Sequence, residues 1–67
     1  MATSISTLLA DTRKSYRALE IEYWAITSTL QGSYSDKRDQ WVDMEYQANM
    51  VKLMANTRSL IATLEDM

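Results

Sequence analysis

Apolar residues in the first half of the chain recur with a strict four-three alternation: Ile5, Leu9, Thr12, Tyr16, Leu19, Tyr23, Ile26 and Leu30. That is the seam of an amphipathic helix, sustained over several heptads, with Thr12 as its one polar member. Leu8 widens the stripe. The second half has the same helical period but carries two apolar sectors. One runs through Trp41, Met44, Ala48, Val51, Ala55, Arg58 and Ala62, with Arg58 as its only charge. The other runs through Tyr46, Met50, Leu53, Thr57, Leu60, Leu64 and Met67, with Met54 and Ile61 alongside. Gln40, Gln47, Arg58 and Glu65 form a narrow polar strip between the two.

The chain is punctuated once. Proline is absent and Gly32 is the single glycine, so long helices are expected. Turn-forming residues cluster at Gly32-Ser33-Tyr34-Ser35-Asp36. Gly32 is expected to close the first helix in a left-handed conformation. Ser35 or Asp36 caps the second, and Thr3 or Ser4 the first. Asp36 and Asp39 fall where the helix dipole favours negative charge. The reading is an all-α, coiled-coil-like, two-helix antiparallel hairpin forming a single unit over residues 1–67. Its helices cover about residues 4–31 and 36–66, joined by a turn over about 32–35.

Matching the first seam to the first sector of helix two places Ile26 against Trp41, Tyr16 against Val51, Leu9 against Arg58 and Ile5 against Ala62. Large residues then face mostly small ones. This pairing leaves Met50, Leu53, Met54, Leu60, Ile61 and Leu64 without a partner inside the monomer. They are the candidate partner-binding residues, on an adaptable Met- and Leu-rich face. A slip of one turn, or a rotation onto the second sector, is the alternative, and it would free the Trp41 sector instead. Ile21 and Trp24 lie on the back of the first helix. Trp24 is a second candidate contact, because Trp is enriched at binding hot spots. Either way, the hairpin is expected to complete a bundle with a partner or a second copy.

Composition narrows the chemistry. Sixty-seven residues build only a thin core, and no cysteine is present to staple it. Histidine is also absent, which removes the commonest general base and metal ligand. Asp36, Asp39 and Asp43 share a helix face, but no calcium-loop pattern surrounds them, and dipole compensation accounts for the first two. No catalytic residue, cofactor or metal site is expected. A net charge of −2 with interspersed signs argues against nucleic acid. The small basic cluster Arg13, Lys14 and Arg17 reads as a solvated face. No membrane span or secretory leader is expected, and the expected location is cytoplasmic, with which the lack of cysteine is compatible.

The outline resembles the small co-chaperones of type III secretion needle subunits. It has a charged first helix, a single break at Gly32, then Gln40-Trp41 at the start of an Ala- and Met-rich second helix. The resemblance implies a non-enzymatic assembly chaperone that docks an apolar helix face on a helical-repeat partner. Two alternatives remain open: a self-assembling homodimer forming a four-helix bundle, and a small phage-type inhibitor.

Overall fold

The structure is a computed structural model describing residues 4–67. It consists of two helices, α1 (Ile5–Leu30) and α2 (Lys37–Glu65), packed against each other as a hairpin. Each helix starts where the sequence supplies a cap. Ser4 Oγ accepts from the Thr7 amide at 3.1 Å, and Asp36 Oδ1 accepts from the Arg38 amide at 2.9 Å. Each bond satisfies one of the free amides of a first turn. Thr3, the other expected cap of α1, lies outside the described residues.

Gly32 behaves differently from expectation. No residue, glycine included, has a positive φ among the described positions. Gln31 stays right-handed (φ −77°, ψ −12°); its amide donates to Ser28 O at 3.3 Å and the Gly32 amide donates to Thr29 O at 3.1 Å, so α1 ends in a tightened last turn without a left-handed cap. A Cβ placed on Gly32 would sit 3.4 Å from Thr29 O, an ordinary contact.

The pairing of the helices also differs from the expected one. Gln47 Nε2 donates to Thr27 Oγ1 at 3.0 Å, and the Arg58 guanidinium lies 6.0 Å from the centre of the Tyr16 ring. Tyr16 was expected opposite Val51, so α2 is displaced by about two turns along α1. It is also rotated, so that Gln40, Asp43, Gln47, Met50, Met54, Thr57, Ile61 and Leu64 form its inner row. Met50 (3% exposed) and Leu64 (5%) are the buried apolar residues, and Met54 and Ile61 are half-buried. Trp41, at 75% exposure, points to solvent together with Met44 and Val51.

Two physical terms favour this arrangement. Burying Met50, Met54, Ile61 and Leu64 removes more apolar area from water than burying Ala48, Ala55 and Ala62. The expected register would also press Arg58 onto Leu9 and desolvate its charge; here Arg58 stays on the flank, over an aromatic ring. Three polar inner residues are hydrogen-bonded: Gln47 to Thr27, Asp43 to the Tyr34 hydroxyl at 2.7 Å and Thr57 to Leu53 O at 2.7 Å. Buried Thr12 (8% exposed) donates to Leu8 O at 2.7 Å, so the polar gap in the α1 seam leaves no unpaired hydroxyl.

The loop explains the displacement. Tyr34 reaches Asp43, in the second turn of α2, so the first turn of that helix overhangs the end of α1. The molecule is a rod of 51 × 19 × 14 Å, longer than α2 alone would be at about 1.5 Å per residue.

Replacing Leu64 or Met50 by Ala should cost about 2–4 kcal/mol, enough to unfold much of so small a domain, while Leu53→Ala should cost well under about 1 kcal/mol. Chemical denaturation followed by circular dichroism checks the contrast. Gly32→Ala should be neutral or stabilising by up to about 1 kcal/mol, because no left-handed conformation opposes it. A clear loss of stability in that variant would show that Gly32 is needed for the turn.

Candidate interaction surface

With the inner row of α2 at heptad positions a and d, its two flanking rows fall at e and g. Cross-helix contacts identify the edge that each row joins. On one edge, the Tyr46 hydroxyl donates to Glu22 Oε2 at 2.9 Å. Heptad spacing aligns Leu53 and Leu60 with Tyr46 on α2, and Leu8 with Glu22 on α1. Leu8, Leu53 and Leu60 are all exposed. We term this the leucine edge. On the opposite edge, Arg13 Nη2 meets Glu65 Oε2 at 2.9 Å. Heptad spacing aligns Met44, Val51 and Arg58 with Glu65. Trp41 and the small residues Ala48, Ala55 and Ala62 lie just outside them. This is the tryptophan face.

The anticipated contact residues are thus divided. Met50 and Leu64 are buried, and Met54 and Ile61 half-buried, in the hairpin's own seam. This corrects the expectation that all six residues of the second sector stand free. Leu53 (49% exposed) and Leu60 (47%) are free, as expected. Trp24, at 62% exposure, packs edge-on against Tyr23, with ring centres 5.5 Å apart and planes at 73°. It does not lie across Arg13 or Arg17, which pair instead with Glu65 and, at 3.9 Å, Glu20.

Trp41, Met44 and Val51 move the other way: anticipated as core, they are exposed. Their signal was present in the sequence as the alternative pairing, and the heptad repeat of Tyr46, Leu53 and Leu60 marks the leucine edge in the same manner. A depression of about 220 Å³, lined by Tyr23, Val51, Met54 and Arg58, opens on the tryptophan face. With an aromatic wall, two apolar residues and one cation, it suits an inserted side chain. Asp36, Asp39 and Asp43 do not converge as a trio: Asp36 caps α2, and Asp43 accepts from Tyr34.

Two tyrosines are held in their protonated form. Partial burial, the hydrogen bond to Asp43 and the charges of Asp43 and Asp39 push Tyr34 up from 10.0 to about 12. The Tyr46 phenol is raised by its hydrogen bond to Glu22, by that carboxylate's charge and by partial desolvation. No helix among the described residues is long and apolar enough to cross a membrane. Comparison with known protein families, curated proteins and solved structures finds no match to this chain.

Because the folded-state value of Tyr34 lies above its unfolded value, the protonated phenol stabilises the loop fully below pH 10, and that contribution is lost as pH rises towards 12. Ultraviolet titration of phenolate should show a late phase from Tyr34 at about pH 12. Tyr34→Phe should remove the late phase and the associated alkaline loss of helicity.

Proposed function

We propose that this chain is a non-enzymatic protein–protein interaction module that completes its helical bundle with helices of another protein. The observation that carries this reading is that α2 is apolar on both sides of its inner row. In a hairpin working alone, the flanking positions are expected to be polar, as most are on α1, where Arg13, Ser15, Glu20, Glu22 and Thr27 occupy them. On α2, Met44 and Val51 on one flank and Tyr46, Leu53 and Leu60 on the other leave apolar surface that further helices of a bundle would cover.

The leucine edge is the docking site in this reading. Leu8, Leu53 and Leu60 form a ridge on which an amphipathic partner helix can lie, with Tyr46 at its upper end. The outline shared with needle-subunit co-chaperones favours an assembly chaperone acting in the cytoplasm, its partner or client itself helical. The flanks of a thin-cored hairpin would cover a client's apolar helix until assembly. Self-association is a second reading, favoured by the distribution of charge along α2.

Leu60→Asp and Leu53→Asp should abolish capture of a helical partner while leaving helicity essentially unchanged, since both side chains lie outside the seam. Co-purification with wild type and variants, paired with circular dichroism, checks this. A wild-type chain that binds neither hydrophobic dye nor any partner would overturn the reading. So would undiminished capture by both Asp variants.

A further inference from the structure

We infer that the tryptophan face is a self-association surface, on which a second copy of this chain packs with the two α2 helices antiparallel about a two-fold axis near Val51. This goes beyond the docking reading above, because it concerns a different face and a defined occupant.

Charge placement is the first argument. Lys37 and Arg38 open α2, while Glu65 and Asp66 close it, and no basic residue lies in its last turn. All four charges oppose the helix dipole, which favours acids at the start and bases at the end. Asp36 and Asp39 offset the first pair in part. At the other end, Arg13 reaches Glu65 through an exposed contact that contributes little. An antiparallel second α2 brings the Lys37-Arg38 end of each helix beside the Glu65-Asp66 end of the other. Charges that are unfavourable within one chain become complementary across two.

The pattern along the face is also symmetrical. Lys37 and Glu65 lie equally far from Val51 on the same helical face, as do Met44 and Arg58. On a two-fold axis at Val51, each Met44 meets the aliphatic stem of the other copy's Arg58. Trp41 spreads over the region of Ala62, and Ala48 comes beside Ala55. Trp41 thus faces a small residue on each half, and the Ala48 and Ala55 contact allows the helices to approach closely beside the axis. The interface is isologous, so one surface supplies both sides. The depression lined by Tyr23, Val51, Met54 and Arg58 opens beside Val51, off the axis, and can receive a side chain of the second copy.

Area is the third argument. A compact monomer of 7.7 kDa exposes about 4300 Å² by the usual mass scaling, whereas this rod exposes 5437 Å². The excess of about 1100 Å² exceeds the roughly 800 Å² per partner that a stable interface covers. Trp41, Met44 and Val51, all exposed, are the large apolar residues that this face contributes to the surface.

Light scattering coupled to size exclusion, with analytical ultracentrifugation, tests the assignment on three chains. Wild type should be dimeric, with a melting temperature that rises with protein concentration. A chain carrying Lys37→Glu and Arg38→Glu, and another carrying Glu65→Lys and Asp66→Lys, should each weaken self-association by about tenfold or more. Each of these chains places favourable charge at a helix end, so the hairpin itself should not suffer. Mixed, the two should form a one-to-one heterodimer, because every end-to-end pair is then opposite in sign. A wild-type monomer at all concentrations overturns the proposal, as does self-association unaffected by either charge change, or a mixture that stays monomeric. Leu60→Asp separates the two readings: it should leave this dimer intact while abolishing capture at the leucine edge.

Discussion

A pair of helices can hide only one row of side chains from each, and α2 carries more apolar surface than one row can hold. The row it hides contains Met50, Met54, Ile61 and Leu64 from its middle downwards, and polar residues, Asp43 and Gln47 hydrogen-bonded among them, in its upper half. Among the described residues, Met50 and Leu64 are the buried apolar side chains. A core that thin supplies only a few kcal/mol. Exposed Trp41, Met44 and Val51 on one flank, and Leu53 and Leu60 on the other, are the direct consequence of a fold only two helices wide.

The loop is tied to the row that is hidden. Tyr34 donates to Asp43 at 2.7 Å, tying the connection to the second turn of α2 and displacing that helix along its neighbour. The displacement brings Gln47 to Thr27 and sets Arg58 over Tyr16. The first pairs a half-buried amide, and the second keeps Arg58 out of the seam, where the alternative pairing would have desolvated it. Side-chain size and polar satisfaction therefore point to the same register, which is what a sequence needs in order to specify one arrangement.

The two flanks left by that choice differ chemically. The leucine edge is a plain aliphatic ridge, suited to an amphipathic helix of another protein. The tryptophan face is bounded by opposite charges at its two ends and is nearly symmetrical about Val51, which suits a copy of itself. A hairpin of this size has few other sources of stability, with no disulfide to call on. Association through either flank would supply what the monomer core lacks.

Much of the fold is legible in the sequence. The α1 seam can be read because its apolar residues occupy a single stripe, so only one face can turn inward. Ser4 and Asp36 can be read as caps because a short oxygen-bearing side chain before an apolar helix has one obvious use. The single break follows from the lack of proline and of any second glycine. The inner face of α2 cannot be read in this way. Its apolar arc is so wide that two rows satisfy the helical period equally well, and periodicity carries no information about how far one helix slides along another. Nor did Gly32 need the left-handed conformation that its identity permits. Three-dimensional packing decided the register, because the energy difference between the rows arises from side-chain volume, from the desolvation of Arg58 and from hydrogen bonds such as Tyr34 to Asp43, and these exist only once both helices are in place.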